Sequence, residues 1–228
     1  MSMDGDIAAQ ANRVSIAVIG TGVIGPRHAK SVVECPTAEL LCIVDPASQA
    51  RAVAETFGIP RFVSIAQMLE QGLVPDAAMV CTPNSTHVSL SLLLFAAGIH
   101  VLVEKPISTA IVDGNELLQA AHRSGKTLMV GHHRRFNPYV TAAKQALSAG
   151  IIGRPIAISG LWATYKPQSY FEGSTDWRAK AGSGECTCED ESRLIELTLT
   201  FEHRWCHPYQ HDPRSRHPAI SLWTHHAS

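Results

Sequence analysis

Short apolar runs alternate with mixed polar and apolar segments along the first 131 residues. The run Val14–Ile19, VSIAVI, is uncharged and rich in β-branched residues, the pattern of a strand buried on both faces. Five further strand-like runs are predicted at residues 39–45 (ELLCIVD), 61–63, 76–82 (DAAMVCT), 100–104 (HVLVE) and 127–131 (TLMVG). Helices are predicted between them, over residues 26–35, 48–58, 65–72, from PNSTH through residue 97, and 112–124. Punctuation supports these limits. Pro26 suits a first helical turn, Gly58 and Gly125 suit left-handed C-caps, and Ser64 with Gln67 reads as a capping box.

This alternation requires crossover connections, so the expected fold is α/β: a doubly wound, mostly parallel Rossmann sheet with helices on both faces. After residue 131 the pattern changes. HHRRFNP leads into a helix over residues 139–149, and residues 155–162 read as a strand of a different sheet. The expected organisation is a flexible polar tail (1–12), the Rossmann domain (13–131), the start of a partial α+β substrate domain (132–184), and an atypical segment (185–228). In that last segment residues 195–201 alternate apolar and polar, then Pro208, Pro213 and Pro218 oppose regular structure, so local disorder is expected.

Chemistry enters at the end of the first strand. Gly20, Gly22 and Gly25 form GxGxxG, a tight turn that would launch a helix whose free amides can hold a pyrophosphate. Such a turn alone also suits a loop without a ligand. Asp45, at the end of the second strand and twenty residues after Gly25, stands where an acid would take the ribose hydroxyls of a dinucleotide.

Composition narrows the partners. The net charge of the 228 residues is -1 and Lys and Arg are scattered, which argues against nucleic acid and anionic membranes and for a small metabolite. The N-terminus lacks a secretory pattern and no apolar run reaches the roughly 20 residues of a membrane span, so a cytoplasmic protein is expected. The six cysteines do not suggest a disulfide framework. Cys186, Cys188, Cys206, His203, His207 and His211 lack a standard zinc-finger spacing, so no metal site is expected.

GTGVIGPRHA, Asp45, CTPNSTH, VLVEKPIS and GHHRRFNP occur in an order and spacing that resemble the Gfo/Idh/MocA-type oxidoreductases, over about residues 13–184. The resemblance implies hydride transfer between NAD(P) and a sugar, cyclitol or related polyol, and a homo-oligomer built through the second domain. It implies that Gly20, Gly22, Val23, Ile24 and Gly25 hold the pyrophosphate and Asp45 the adenosine ribose. A carboxylate there repels a 2'-phosphate, which favours NAD over NADP. Thr82, Pro83, Asn84 and His87 match the loop beneath the nicotinamide ribose. Lys105 matches the catalytic lysine, which would hydrogen-bond the reacting oxygen and help order the nicotinamide, with Glu104 orienting it. Arg134 and Asn137 match the segment closing the cleft, and Trp177 and Arg178 match a DWR-like loop approaching cofactor or substrate.

The resemblance breaks after Gly184. The family's element GGGxLxDxGxHxxD supplies a histidine acid/base and an assisting aspartate, whereas this chain aligns Cys188 with the aspartate and Ser192 with the histidine. His203 falls eleven residues later than that histidine position. Two readings follow: an oxidoreductase of this family, or a truncated, catalytically inactive nucleotide-binding protein. A frame-shifted or mis-spliced end after Gly184 accounts for the break, and would put oligomer formation in doubt as well.

Overall fold

A computed structural model describes residues 13–156 and 165–172. Six parallel strands form one sheet in the order β3-β2-β1-β4-β5-β6: β1 Val14–Ile19, β2 Ala38–Val44, β3 Arg61–Phe62, β4 Ala77–Val80, β5 His100–Val103 and β6 Leu128–Val130. The helices are α1 Gly25–Glu34, α2 Ala50–Phe57, α3 Ile65–Glu70, α4 His87–Ala96, α5 Ile111–Ser124 and α6 Pro138–Ser148. The chain builds outward from β1 to β3, then returns to the other side of β1 with β4. The doubly wound Rossmann architecture is thus observed, and its reversal lies between β1 and β4.

Alternate residues of the central strands feed two cores, as expected of a sheet covered on both sides. Ala17, Ile19, Val80 and Val103 face α3, α4 and α5, meeting Met68, Leu94, Phe95 and Leu117. On the other face Val18 and Leu40 meet Ala29 and Val32 of α1. Beyond α1 that second face opens into a shallow cavity of about 150 Å³, lined by Ile16, Ala77, Met79, His100, Leu102 and Met129. These residues lie in the strands themselves, away from the turns at the strand ends.

Local signals act as the sequence suggests. Ser64 Oγ accepts the Gln67 amide at 3.1 Å, and Gln67 Oε1 reaches back to the Val63 amide at 2.8 Å. Gly58 and Gly125 close α2 and α5 in the left-handed region, with φ of 66° and 64°. Several strands are shorter than the apolar runs: β4 stops at Val80 and β5 at Val103, because the residues beyond are drawn into turns. Helix α6 begins at Pro138, one residue before its expected start, and is capped by Asn137 Oδ1, which accepts the Tyr139 amide at 2.9 Å. None of its residues is buried. The strand expected over residues 155–162 lies largely outside the described residues, as do both terminal segments, 1–12 and 185–228.

Among the described residues no helix is long and apolar enough to cross a membrane, and no cluster of His, Cys, Asp and Glu is arranged to hold a metal.

Candidate functional site

Apart from Arg134 and Asn137, the sequence-predicted site residues that the structure describes follow the carboxyl ends of β1, β2, β4 and β5, on both sides of the reversal of strand order where open α/β sheets bind ligands. The ladder continues past the strands and fixes the turns. Gly20 donates to Val44 O at 2.8 Å, Cys81 to Ile19 O at 2.7 Å, and Glu104 to Val80 O at 2.9 Å.

Each glycine of the turn has its own reason. Gly20 has φ of 94°, and a Cβ there would lie 2.9 Å from the Cys81 carbonyl oxygen. Gly25 packs so closely that a Cβ would fall 2.0 Å from the Gly20 carbonyl oxygen. At Gly22 a Cβ would meet nothing within 4 Å, so the space at that glycine is open. Helix α1 starts here without a side-chain cap and without an acid in its first turn. Its uncapped amino end, beside the Gly22 opening, is a cradle that fits a pyrophosphate. Val23 and Ile24 form the rim of that cradle, with Val23 exposed.

Asp45 braces the same turn. Its Oδ2 accepts the Thr21 amide at 2.6 Å and the Thr21 hydroxyl at 2.7 Å, while Oδ1 accepts the Ala47 amide at 2.8 Å. The loop after Asp45 is held by Arg61, whose guanidinium donates to the carbonyls of Asp45, Pro46 and Ala47 at 2.9–3.1 Å. Thr21 and Arg61 were not singled out by the motif, because their roles depend on loops meeting in space.

The turn after β4 carries Thr82, Pro83 and Asn84 into a short 3-10 segment, Asn84–Thr86. Asn84 is buried, and Thr86 Oγ1 donates within the turn toward Thr82 Oγ1 and Pro83 O, each at 2.7 Å. His87 is fully buried, with Nδ1 2.8 Å from Pro106 O and Nε2 3.0 Å from Thr82 O. Both ring nitrogens therefore face backbone carbonyls. The ring ties the turn after β4 to the turn after β5, and the Lys105–Pro106 peptide bond, which precedes the carbonyl it meets, is cis.

Glu104 and Lys105 diverge at the end of β5. Glu104 Oε1 accepts from His28 Nε2 of α1 at 2.8 Å, and Oε2 accepts the Lys105 amide at 3.2 Å. Burial pushes the Glu104 carboxyl up, but the hydrogen bond and charge of His28, then the Lys105 amide and ammonium, outweigh it and leave the group below its ordinary value. Lys105 is exposed, and among the described residues its ammonium has no salt bridge. His28 stood inside the GPRHA motif without a role; nothing in sequence spacing joins it to a carboxylate 76 residues away.

Arg134 is exposed in the 3-10 segment His133–Phe136 just past β6. Asn137 is occupied as the cap of α6. Trp177 and Arg178 lie outside the described residues, as do Cys188, Ser192 and His203.

Residues 14–132 match the model of a family described as an oxidoreductase family with an NAD-binding Rossmann fold. Scyllo-inositol 2-dehydrogenase (NAD(+)) of Bacillus subtilis (strain 168) is 32% identical over 151 residues, 65% of this chain and 44% of that protein. The WlbA dehydrogenase from Bordetella pertussis, solved with NADH and UDP-GlcNAcA, superposes with a TM-score of 0.66 at 29% identity, over 70% of this chain and 46% of that one. Scyllo-inositol dehydrogenase from Lactobacillus casei, solved with NAD(H) and scyllo-inositol, superposes with a TM-score of 0.59 at 25% identity, over 62% and 42%. The chain spans about half the length of the curated relatives it matches.

Proposed function

The chain belongs to the Gfo/Idh/MocA oxidoreductase family, and from that premise we propose that it moves a hydride between NAD and a sugar, cyclitol or related polyol. The observation that carries the reading is that three unlike residues follow the carboxyl ends of strands in one sheet: the open Gly22 after β1, Asp45 after β2 and the exposed Lys105 after β5. A generic glycine turn would need only the first of these.

In this reading NAD, when bound, supplies the hydride acceptor for an alcohol carbon. The amino end of α1 holds the pyrophosphate, with Gly20, Gly22, Val23, Ile24 and Gly25 as its wall. Asp45 takes the adenosine ribose hydroxyls with lone pairs left over from Thr21 and Ala47, and its charge disfavours a 2'-phosphate. Thr82, Pro83 and Asn84 lie under the nicotinamide ribose, with His87 fixing their turn from beneath. Lys105 hydrogen-bonds the reacting oxygen and favours the negative charge that builds there. Arg134, Trp177 and Arg178 complete the cofactor and substrate side. Enzyme names such as scyllo-inositol 2-dehydrogenase among the relatives give the inactive alternative no support.

The test is a fluorescence titration with NADH followed by NAD reduction against a panel of inositols and sugars. Saturable NADH binding, turnover of at least one polyol, and turnover lost with binding kept in Lys105→Met are expected. Absence of saturable binding overturns the cofactor reading. Binding without turnover on any member overturns the oxidoreductase reading and leaves a nucleotide-binding protein.

A further inference from the structure

The carboxylate of Glu104 stands between two elements with different tasks. On one side is His28, on the first turn of the helix that receives the pyrophosphate; on the other is the backbone of Lys105. Because a carboxylate can only accept, His28 Nε2 must donate to it. With Oε1 on His28 and Oε2 on the Lys105 amide, both carboxylate oxygens are engaged, and among the described residues no ion pair joins Glu104 to the Lys105 ammonium.

A third residue makes room for this arrangement. Gly131 follows β6 and donates its amide to Val103 O at 2.8 Å. A Cβ at Gly131 would lie 2.9 Å from Glu104 Oε1 and 3.1 Å from its carboxyl carbon. A side chain there would displace Oε1, the oxygen that meets His28, and press on the rest of the carboxyl group.

We propose that His28 is a positioning residue for Lys105, acting through Glu104 in the gap left by Gly131. Without it, the free Oε1 turns to the Lys105 ammonium, and the lysine is drawn from the substrate oxygen into an ion pair with its neighbour. The brace also joins the pyrophosphate helix to the lysine across the reversal of strand order, so a shift of α1 is felt at Lys105. This inference rests on the hydride-transfer reading for its kinetic consequence, but not for the geometry of Lys105.

The experiment compares the wild-type chain with His28→Ala, His28→Gln and Gly131→Ala, with far-UV circular dichroism confirming the fold. Acetylation of Lys105 by an activated ester is timed by peptide mass spectrometry, with exposed Lys144 as internal reference. An ion pair retains the ammonium's proton, so His28→Ala is expected to slow Lys105 acetylation about threefold or more. Gly131→Ala, which displaces the carboxylate while keeping the histidine, gives the same slowing. His28→Gln, whose side-chain amide can donate to the same oxygen, restores the wild-type rate. On an active polyol, His28→Ala lowers kcat about tenfold while the NADH Kd changes less than about threefold. Unchanged Lys105 acetylation in both folded disrupting variants overturns the proposal. So does parallel loss of NADH binding and kcat, the mark of a purely structural histidine. If the wild-type chain turns over no polyol, the hydride-transfer reading fails while the acetylation comparison still decides the role of His28.

Discussion

Asp45 Oδ2 receives two hydrogen bonds from one residue, the amide and the hydroxyl of Thr21, at 2.6 and 2.7 Å. The acid thus shapes the glycine turn as well as offering charge to a ligand. Asp45→Asn tests the first task, since Ala47 donates to the other oxygen. An amide has one acceptor oxygen, so its NH2 must oppose a backbone N–H in either orientation. The variant is expected to lose about 1–3 kcal/mol in urea unfolding and to bind NADH more weakly. Wild-type stability in that variant would show that the carboxylate does not hold the turn.

Gly22 and Gly25 separate folding from binding within one motif. Gly25→Ala drives a Cβ to 2.0 Å from the Gly20 carbonyl oxygen, so the backbone must move, and a loss above about 2 kcal/mol is expected. Gly22→Ala meets no protein atom within 4 Å. It should stay within about 0.5 kcal/mol of wild type while NADH affinity falls about tenfold or more. Thermal melts and NADH titrations of the two variants check this, and weakening of both properties in both variants would contradict it.

The depressed Glu104 carboxyl has a definite sign in acid. Its folded value lies below its unfolded one, so the fold favours the ionised form. That stabilisation is fully present above the ordinary glutamic acid value of about 4.3 and is lost as pH falls through the lower folded value. The unfolding free-energy gap between wild type and Glu104→Gln should therefore shrink as pH falls below about 5. Urea melts below about pH 5 measure the gap, and a gap that does not shrink there would show that the fold does not favour the ionised carboxylate.

Ser91 on α4 is fully buried, and among the described residues its hydroxyl has no hydrogen-bond partner. Ser91→Ala removes an unsatisfied polar group and improves helix propensity, so it should raise stability by up to about 1 kcal/mol. A lowered melting temperature would show that the hydroxyl is satisfied in solution.

The strands and their order of appearance were legible because a sheet covered by helices leaves a simple trace, an uncharged β-branched run bounded by turn residues. VSIAVI and the caps at Gly58, Ser64 and Gly125 are local events, and local chemistry decides them. The site was legible as motifs but not as a network. GTGVIG, TPN and EKP can be read along the chain, whereas the contacts of Thr21 with Asp45, His28 with Glu104, and Gly131 beneath the Glu104 carboxylate arise only when strand ends meet. His87 illustrates the difference: its place in the motif suggests a ligand contact, while its burial and its two carbonyl neighbours give it the work of joining two turns.

The described sheet tapers. Its interior strands β1 and β2 have six and seven residues, while β3 at one border has two and β6 at the other has three. A border that short offers an incoming peptide few unpaired backbone groups, so accretion of foreign strands along this sheet is disfavoured by its outline.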